Sequence, residues 1–403
     1  MNNINLTFKN NIWIKDYKNG LSNNFSKKFD KIFLEIKSDI KNKDKTLHVL
    51  DKNFKFNFNV KDLKNFKKFK SIAFIGIGGS ILGTEAIYNF FRTRIKKKIY
   101  FLNNIDESQI ANLKKKNLSK ILFIITSKSG STIETLSNTF ALNIIKKNAK
   151  NIIIISEKKN NLLFSLANKF DLFYIEHKNY IGGRYSVLSE VGIIPSYLMG
   201  VNINKLRLNL LGCLAGKGKT LLKKSIINLA ILMKSKKINN LIFLNYFPEL
   251  EKFLYWCQQL IAESLGKKNQ GFLPLISNAP KDHHSLLQLY LDGPKDKFFN
   301  IFSLEKNSKS KLKVKTTGIS KILDKKKIST IKNAQKKALI KAFIRKKIPF
   351  REFKIKKENE EVLGQLFSLF IVETIIVGKL LKINPFDQPA VEEVKNNTKK
   401  MLS

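Results

Sequence analysis

Five small hydroxyl side chains and one lysine follow directly after an apolar run in the first third of the chain. Residues 121–125 are entirely apolar, and the sequence TSKSGST begins at the next residue. If the apolar run is a strand of a parallel sheet, its carboxyl end is where such sheets bind ligands. Several hydroxyls can donate to different oxygens of one anion while an ammonium group balances its charge. The pattern therefore predicts a phosphate monoester site, formed by Ser127, Lys128, Ser129 and Thr132.

The same stretch has a simpler interpretation as the start of a helix. Ser131 and Glu134 have the spacing of a capping box, in which two side chains satisfy backbone N–H groups without any ligand. That interpretation accounts for two residues and leaves the other hydroxyls without a role, so the phosphate site is favoured. A nucleoside triphosphate loop is excluded, because the pattern G-x-x-x-x-G-K-[ST] does not occur in the chain.

A glycine cluster, GIGGSILG, follows an earlier apolar run. Its spacing is not that of a dinucleotide-binding loop, because Ile81 occupies the place of the third glycine, although Asp106 stands where an acidic residue could contact a ribose. Two interpretations stay open. The glycines form a tight turn between a strand and a helix, or the backbone at Gly78 and Gly79 lets a ligand approach closely while Ser80 offers a hydroxyl.

The length and composition indicate a globular protein with two domains or one large layered domain. The chain has 403 residues, of which 43% are hydrophobic and 11% aromatic, well above the content of disordered chains. Its 75 Lys and Arg residues exceed its 31 Asp and Glu residues and give a net charge of +44. Because these cations are spread along the whole chain, the sequence favours a basic solvated surface over a nucleic-acid interface.

The cysteine content and the apolar segments bear on the location of the protein. Cys213 and Cys257 are too few for a disulfide framework or a zinc cluster, and the N-terminal sequence lacks the apolar core of a secretion signal. We therefore expect a reducing, cytoplasmic location. The most apolar segment, LGQLFSLFIVETIIVGKLL, carries Gln365 and Glu373, and membrane spans of about 20 residues rarely contain such a charge. It is predicted to be a buried core helix without membrane contact.

The rest of the chain alternates between short apolar runs, typical of buried strands, and segments with helical periodicity. Strands separated by single helices predict right-handed crossovers and parallel sheets. The pattern runs through two rounds, so the predicted fold class is α/β, with two doubly wound parallel-sheet sandwich domains and helical terminal segments. The predicted divisions are a helical N-terminal segment at residues 1–53, α/β domains at residues 54–200 and 201–356, and C-terminal helices at residues 357–403.

Six sequence motifs together resemble the glucose-6-phosphate isomerase family. They are GIGGSILG, TSKSGSTIETL, IGGRYSVLSEVGIIP, QQLIAESLGKKNQG, HHSLLQLYLDGP and NPFDQPAVEEVK, in that order between residues 72 and 395. The first two mark sugar-phosphate isomerase (SIS) domains in general, whereas the last four jointly are specific to the glucose-6-phosphate enzymes. The chain is similar to the shorter bacterial form. The resemblance implies two SIS-type domains and reversible isomerisation of glucose 6-phosphate and fructose 6-phosphate in glycolysis and gluconeogenesis.

The resemblance also implies a role for residues in each motif. Glu263 stands where the family has its base, and a single carboxylate can move a proton between two neighbouring carbons through a cis-enediol. Arg184 matches the arginine that stabilises the enediolate, while His284 and Lys395 match the residues associated with ring opening. The residues implied to bind the sugar phosphate are Ser127, Lys128, Ser129 and Thr132 for the phosphate, with Gly78, Gly79, Ser80, Gly183, Gln259 and Gln388 as further contacts.

The implied enzyme works without a metal or a redox cofactor. The resemblance implies a homodimer with shared active sites, in which His284 reaches the site of the partner subunit. Because His283 and His284 are adjacent, only the family pattern selects His284. The chain departs from the family pattern around Lys395, since Pro389 and Val394 stand where many longer relatives have a tryptophan and a glycine. Before Asp106, the chain has Asn103 in place of the more usual serine.

Two alternative functions remain. One is a broader aldose-ketose isomerase that also accepts mannose 6-phosphate. The other is a non-catalytic SIS-type protein that binds sugar phosphates, which would keep the hydroxyl cluster but would have no use for four further residues together. Those residues are Glu263, Arg184, His284 and Lys395.

Overall fold

The computed structural model describes residues 6–13, 17, 21–305 and 312–402, and these residues form two five-stranded sheets with helices around them. The strands are β1 Leu6–Asn11, β2 Ser71–Ile75, β3 Lys98–Leu102, β4 Ile121–Thr126, β5 Ile152–Ser156, β6 Phe173–Glu176, β7 Asn240–Asn245, β8 Leu273–Asn278, β9 Lys297–Leu304 and β10 Phe350–Ile355. The helices are α1 Leu21–Lys41, α2 Leu82–Phe91, α3 Glu107–Lys114, α4 Ile133–Ala141, α5 Leu162–Lys169, α6 Glu190–Met199, α7 Ile203–Leu206, α8 Gly216–Ser235, α9 Glu251–Leu265, α10 Leu287–Asp292, α11 Ile328–Arg345, α12 Glu360–Leu380 and α13 Pro389–Leu402. Short 3-10 helices lie at Thr46–Leu50, Lys64–Lys68, Gly78–Ser80, Leu118–Lys120, Gly183–Leu188, Gly212–Leu214, Pro248–Leu250 and Lys281–His283.

The first sheet has the strand order β3-β2-β4-β5-β6, and all of its strands are parallel. The chain moves from β2 outward to β3, then crosses back to β4 and continues in the opposite direction. As a result α2 packs on one face of the sheet and α4 on the other. In the pair β2 and β4, Ile75 lies beside Ile125. The turns after these two strands therefore start at the same level, where such sheets form a ligand-binding crevice.

The second sheet has the order β1-β10-β9-β7-β8, and its strands are parallel except β1, which runs antiparallel to β10. Here the direction of winding reverses between β7 and β9. Two mainly parallel sheets, each wound in both directions from a central pair, confirm the predicted α/β fold class. The boundaries proposed between the domains stay a prediction.

The N-terminal segment is not wholly helical, and the prediction of a helical segment at residues 1–53 is wrong for β1. This strand forms the edge of the second sheet, where Phe8 stacks on Phe353 with ring centroids 5.8 Å apart. Its partner strand lies near the other end of the chain, so no local pattern could indicate the pairing. Residues 1–5 lie outside the described residues, and α1 supplies the helical part of the segment.

The apolar C-terminal helix α12 is buried, as the sequence predicts. In the part of the chain that the structure describes, it is the one helix long and apolar enough to cross a membrane, yet 94% of that apolar stretch is buried within the fold. Near the middle of this helix, Glu373 accepts hydrogen bonds from both terminal nitrogens of Arg351 on β10, at 2.6 and 3.1 Å. The buried carboxylate is thus paired with a buried cation, and α12 ties the second sheet to α1, α8 and α9.

Candidate active site

The glycine turn after β2 packs closely on the 3-10 helix Gly183–Leu188. Gly78 has a positive φ of 54°. A Cβ atom on Gly79 would lie 2.2 Å from the carbonyl carbon of Gly183 and 2.5 Å from the backbone nitrogen of Arg184. Glycine at position 79 therefore permits this approach, which any side chain would prevent. The sequence allowed either a tight strand-to-helix turn or a close approach of a ligand. The glycines do form a tight turn between β2 and α2, and Ser80 is its last residue.

The hydroxyl groups after β4 converge on one another. Oγ of the buried Ser127 lies 2.7 Å from Oγ1 of Thr132, which is 3.4 Å from Oγ of Ser129. The backbone N–H of Gly130 donates to Oγ of Ser127 at 3.2 Å. Because each hydroxyl can rotate its proton, the three groups can turn together towards the oxygens of one anion.

The alternative interpretation of this turn as a capping box is wrong. α4 begins at Ile133, and Thr132 is its N-cap residue, with no side-chain hydrogen bond to the helix. Ser131 therefore lies one residue too early to cap the helix together with Glu134. The first N–H groups of a helix have no intrahelical acceptor, so the N-terminus of α4 presents donors and a positive dipole end beside the hydroxyl cluster.

Lys128 lies in the same turn, but its ammonium group already has protein partners. Nζ donates to the carbonyl oxygen of Asn179 at 2.8 Å and lies 3.5 Å from the carboxylate of Glu157. Burial lowers the pKa of Lys128, and the charge of Glu157 acts in the opposite direction. Burial also lowers the pKa of the adjacent His177 to about 4, so this imidazole is neutral near pH 7. The pairing with Glu157 was not indicated by the sequence.

Glu263 lies on α9, and its carboxylate is held from two sides. Oε1 accepts a hydrogen bond from Nε2 of Gln259 at 2.9 Å, and Oε2 accepts one from Nη1 of Arg184 at 3.0 Å. The side chain of Glu263 is 31% exposed and that of Arg184 only 4%. Gln259 in turn packs against the glycine turn, since a Cβ atom on Gly78 would lie 2.7 Å from Nε2. The glycine turn, α9 and the arginine therefore meet at one point.

Arg184 also binds the loop that precedes α13. Nη1 donates to Oε1 of Gln388 at 2.8 Å, and Nη2 donates to the carbonyl oxygens of Pro385 at 2.6 Å and Asp387 at 3.1 Å. These acceptors hold the plane of the guanidinium group. The structure thus brings together half of the predicted residues, namely Gly78, Gly79, Gly183, Arg184, Gln259, Glu263 and Gln388.

Two residues beside this cluster were not identified from the sequence. Oγ of Ser264 accepts a hydrogen bond from Nε of Arg184 at 2.8 Å and lies 2.8 Å from the hydroxyl of Tyr185. That hydroxyl donates to the carbonyl oxygen of Pro385 at 2.7 Å. Ser264 and Tyr185 are fully buried and complete a closed ring of hydrogen bonds around the guanidinium group. Both stand inside the quoted motifs QQLIAES and GGRYS, which was the only available signal.

The structure does not bring His284 and Lys395 to this cluster within one chain. His284 follows the short helix Lys281–His283 and is exposed, and in the described chain its side chain makes no hydrogen bond. Lys395 lies on α13, is half exposed, and donates to Glu392 at 2.8 Å. The neighbouring His283 is different, because its Nε2 lies 2.6 Å from the hydroxyl of Tyr246 and burial lowers its pKa. Of the two adjacent histidines, His284 is therefore the one free to contact another molecule.

Comparison with known proteins finds relatives over most of the chain. Residues 36–272 match the family model described as phosphoglucose isomerase. A glucose-6-phosphate isomerase from Methanocaldococcus jannaschii is 32% identical over 361 residues, which cover 84% of this chain and 85% of that protein. A glucose-6-phosphate isomerase from Campylobacter jejuni is 29% identical over 377 residues, with coverage of 89% and 90%.

Solved structures share the fold at lower sequence identity. A hypothetical protein from Thermus thermophilus superposes with a TM-score of 0.84 at 22% identity, covering 98% of this chain and all of that one. A glucose-6-phosphate isomerase from Chlamydia trachomatis superposes with a TM-score of 0.70 at 20% identity, covering 84% of this chain and 71% of that one. At these identities the likeness shows the fold alone.

Proposed function

Because the chain belongs to the phosphoglucose isomerase family and isomerises glucose 6-phosphate and fructose 6-phosphate reversibly, we propose that it opens the sugar ring and then moves one proton between C1 and C2 through a cis-enediol. The observation that carries this mechanism is the contact of 3.0 Å between the carboxylate of Glu263 and the guanidinium of Arg184. A carboxylate can take up and return the proton, and a neighbouring cation can stabilise the negative oxygen that forms.

The phosphate of the substrate binds to the converged hydroxyls of Ser127, Ser129 and Thr132. Their mutual distances of 2.7 and 3.4 Å support this role, because groups that close can share one anion. Lys128 adds positive charge beside the hydroxyls, although Glu157 neutralises part of it. The sugar then extends towards Arg184 past Ser80 and the glycine turn.

Glu263 is the general base, and Gln259 orients it. The hydrogen bond from Gln259 to Oε1 leaves the carboxylate with its partly exposed face towards the crevice. Among the described residues, Oε1 of Gln259 is buried without a hydrogen-bond partner, and an unpaired buried acceptor is costly. A substrate hydroxyl supplies the missing donor, which places the sugar beside the base.

Arg184 and Gln388 face the oxygens on which charge develops. The ring of hydrogen bonds through Ser264 and Tyr185 fixes Arg184 before substrate binds. A donor that is already in position does not have to reorganise as the enediolate forms, and this preorganisation is usually a large part of catalysis.

Ring opening requires one group to protonate the ring oxygen and another to deprotonate the C1 hydroxyl, and we assign these steps to His284 and Lys395. The exposed position of His284 supports a homodimer in which it enters the partner subunit's site. Lys395 lies six residues after Pro389, about 9 Å along α13, while Gln388, immediately before this helix, already contacts Arg184. We propose that Lys395 reaches the sugar when α13 packs against the site.

The proposed function also includes a metabolic pathway and a cellular compartment. The family reaction belongs to glycolysis and gluconeogenesis, and we propose a cytoplasmic location. The two cysteines support a reducing compartment, since both are free thiols.

The test of the function is a coupled assay on the purified protein. Fructose 6-phosphate is supplied, and a dehydrogenase specific for glucose 6-phosphate reports the product. We expect turnover that saturates with fructose 6-phosphate and needs no added metal. A protein that binds the sugar phosphate without turnover would be the non-catalytic alternative, and equal turnover of mannose 6-phosphate would indicate the broader isomerase.

A further inference from the structure

A cavity of about 450 Å³ lies beside β3, at the edge of the first sheet and outside the site described above. It is open to solvent and is bordered by β3, α2 and α3, with Lys252 of α9 on one side. None of the residues that we assign to substrate binding or catalysis lines it. Its volume is in the range of about 300 to 1,000 Å³ that small-molecule sites occupy.

The lining of this cavity combines three kinds of side chain. Its walls are aromatic and aliphatic, with Tyr88, Tyr100 and Leu113 among them. Amide groups and two lysine ammonium groups supply the polar part, from Asn103, Gln109, Asn112, Lys116 and Lys252. A mostly apolar pocket with a few convergent polar groups is the usual construction of a binding site for a small molecule.

One carboxyl group in the cavity is almost fully buried. Glu85 is 3% exposed, and Oε1 of its side chain accepts a hydrogen bond from Nδ2 of Asn103. Burial raises its pKa, while Lys252 acts in the opposite direction. The second carboxyl oxygen has no hydrogen-bond partner among the described residues, so it is available to a ligand.

We propose that the cavity binds a mononucleotide, with its base against the tyrosines, its ribose at Glu85 and its phosphate at the two lysines. A planar base stacks favourably on an aromatic ring, and the amides of Asn103 and Gln109 can both donate to and accept from its edges. A second sugar phosphate fits less well, because the cavity lacks the cluster of hydroxyls that the chain uses for phosphate after β4.

The cavity is joined to the catalytic site through two helices. α2 carries Glu85 and begins directly after the turn Gly78–Ser80, and α9 carries both Lys252 and Glu263. These helices pack on each other along their lengths. A nucleotide held between them contacts both elements that position the proposed catalytic groups. We therefore expect it to change the Michaelis constant or the turnover number of the isomerase, an expectation that rests on the proposed function, whereas binding itself does not.

The direct test is calorimetric titration of the purified full-length protein with adenosine 5′-monophosphate, and separately with the guanosine, cytidine and uridine monophosphates. We expect at least one of them to bind at one site per chain, with inorganic phosphate alone binding much more weakly. Saturating glucose 6-phosphate should leave the affinity measurable and the site count unchanged. The proposal is overturned if none of the four binds at millimolar concentration, or if glucose 6-phosphate displaces the nucleotide competitively.

Three variants, one of them a control, test the location of the site, and none of them changes a residue assigned to catalysis. Lys116→Glu reverses an exposed cavity charge in the segment that follows α3 and should weaken nucleotide binding by about 10-fold or more. Lys114→Glu makes the same change on α3 at a residue outside the cavity and should leave the affinity unchanged. Asn103→Ser should also weaken binding, because Glu85 loses its amide partner. Equal affinities for Lys116→Glu and Lys114→Glu proteins with unaltered melting temperatures would contradict the assignment.

Discussion

Nη1 of Arg184 lies 3.0 Å from Oε2 of Glu263, so the cation proposed to stabilise the enediolate touches the carboxylate proposed to carry the proton. The arginine comes from the 3-10 helix that packs on the glycine turn, and the carboxylate comes from α9. Their contact joins the two halves of the chain at the crevice of the first sheet. The geometry links proton transfer and charge stabilisation in one pair of side chains.

The hydroxyl cluster is tested by Ser127→Ala combined with Thr132→Ala. The Michaelis constant should rise by roughly 10-fold or more, because each lost hydrogen bond to the phosphate is worth about 1 to 1.5 kcal/mol. Steady-state kinetics with fructose 6-phosphate measures the effect. Ser131→Ala is the control, since Ser131 lies outside the converging hydroxyls. An unchanged Michaelis constant in the double variant would remove phosphate binding from this turn.

The proposed homodimer with shared active sites predicts complementation between two inactive chains. His284→Ala protein is mixed with Glu263→Gln protein under conditions that exchange subunits. A mixed dimer then holds one site with both native residues, and part of the wild-type activity should return. Each variant incubated alone is the control. If the wild-type protein sediments as a monomer and is fully active, the proposal that His284 acts across a subunit interface is contradicted.

The hydrogen-bond ring predicts that Ser264 positions Arg184 for the reaction. Ser264→Ala should lower the turnover number by about 10-fold, as expected for one lost hydrogen bond of about 1 to 1.5 kcal/mol, with little change in the Michaelis constant. Tyr185→Phe leaves the bond from Arg184 to Ser264 in place and should have the smaller effect. In an Arg184→Lys background, Ser264→Ala should lower the turnover number only slightly further, because the effects of substitutions at coupled residues are not additive. Independent, additive losses would show that Ser264 does not act through Arg184.

The buried pair of Arg351 and Glu373 predicts a large loss of stability when one partner is removed. Glu373→Ala leaves a buried guanidinium without its carboxylate and should lower the free energy of unfolding by about 3 to 5 kcal/mol. Urea denaturation measures the change. Asp30→Ala removes the exposed partner of Lys223 and should cost about 1 kcal/mol or less. Equal losses from the two substitutions would mean that burial of the Arg351 pair contributes little.

The strands of the first sheet could be predicted because each is a local apolar run bounded by polar turns. The run before Ser127 and the run before Gly76 are examples, and both are buried strands. β1 could not be predicted, because its hydrogen bonds come from β10 near the other end of the chain. The apolar sequence pattern of β8 is weak as a strand signal, because Pro274 interrupts the strand and its residues Leu273 and Leu275 are exposed.

The candidate site was predictable residue by residue only where a motif marked it. The resemblance picked out Arg184 and Glu263, and the structure places them in contact. The partners of Lys128 and Arg184, such as Glu157 and Ser264, required the three-dimensional packing, because they lie on other elements. The roles assigned to His284 and Lys395 stay predictions, since both depend on molecules beyond the single chain.

The central claim is that Glu263 carries the proton between C1 and C2, and exchange of the C2 proton of glucose 6-phosphate in heavy water tests it most directly. Glu263→Gln keeps the shape and one acceptor oxygen but cannot take up a proton, so turnover should fall by about 100-fold to 10,000-fold while the substrate still binds. Proton magnetic resonance should show deuterium entering C2 with the wild-type protein and not with Glu263→Gln. Exchange at the wild-type rate in the variant would contradict the account, because another residue would then be the base.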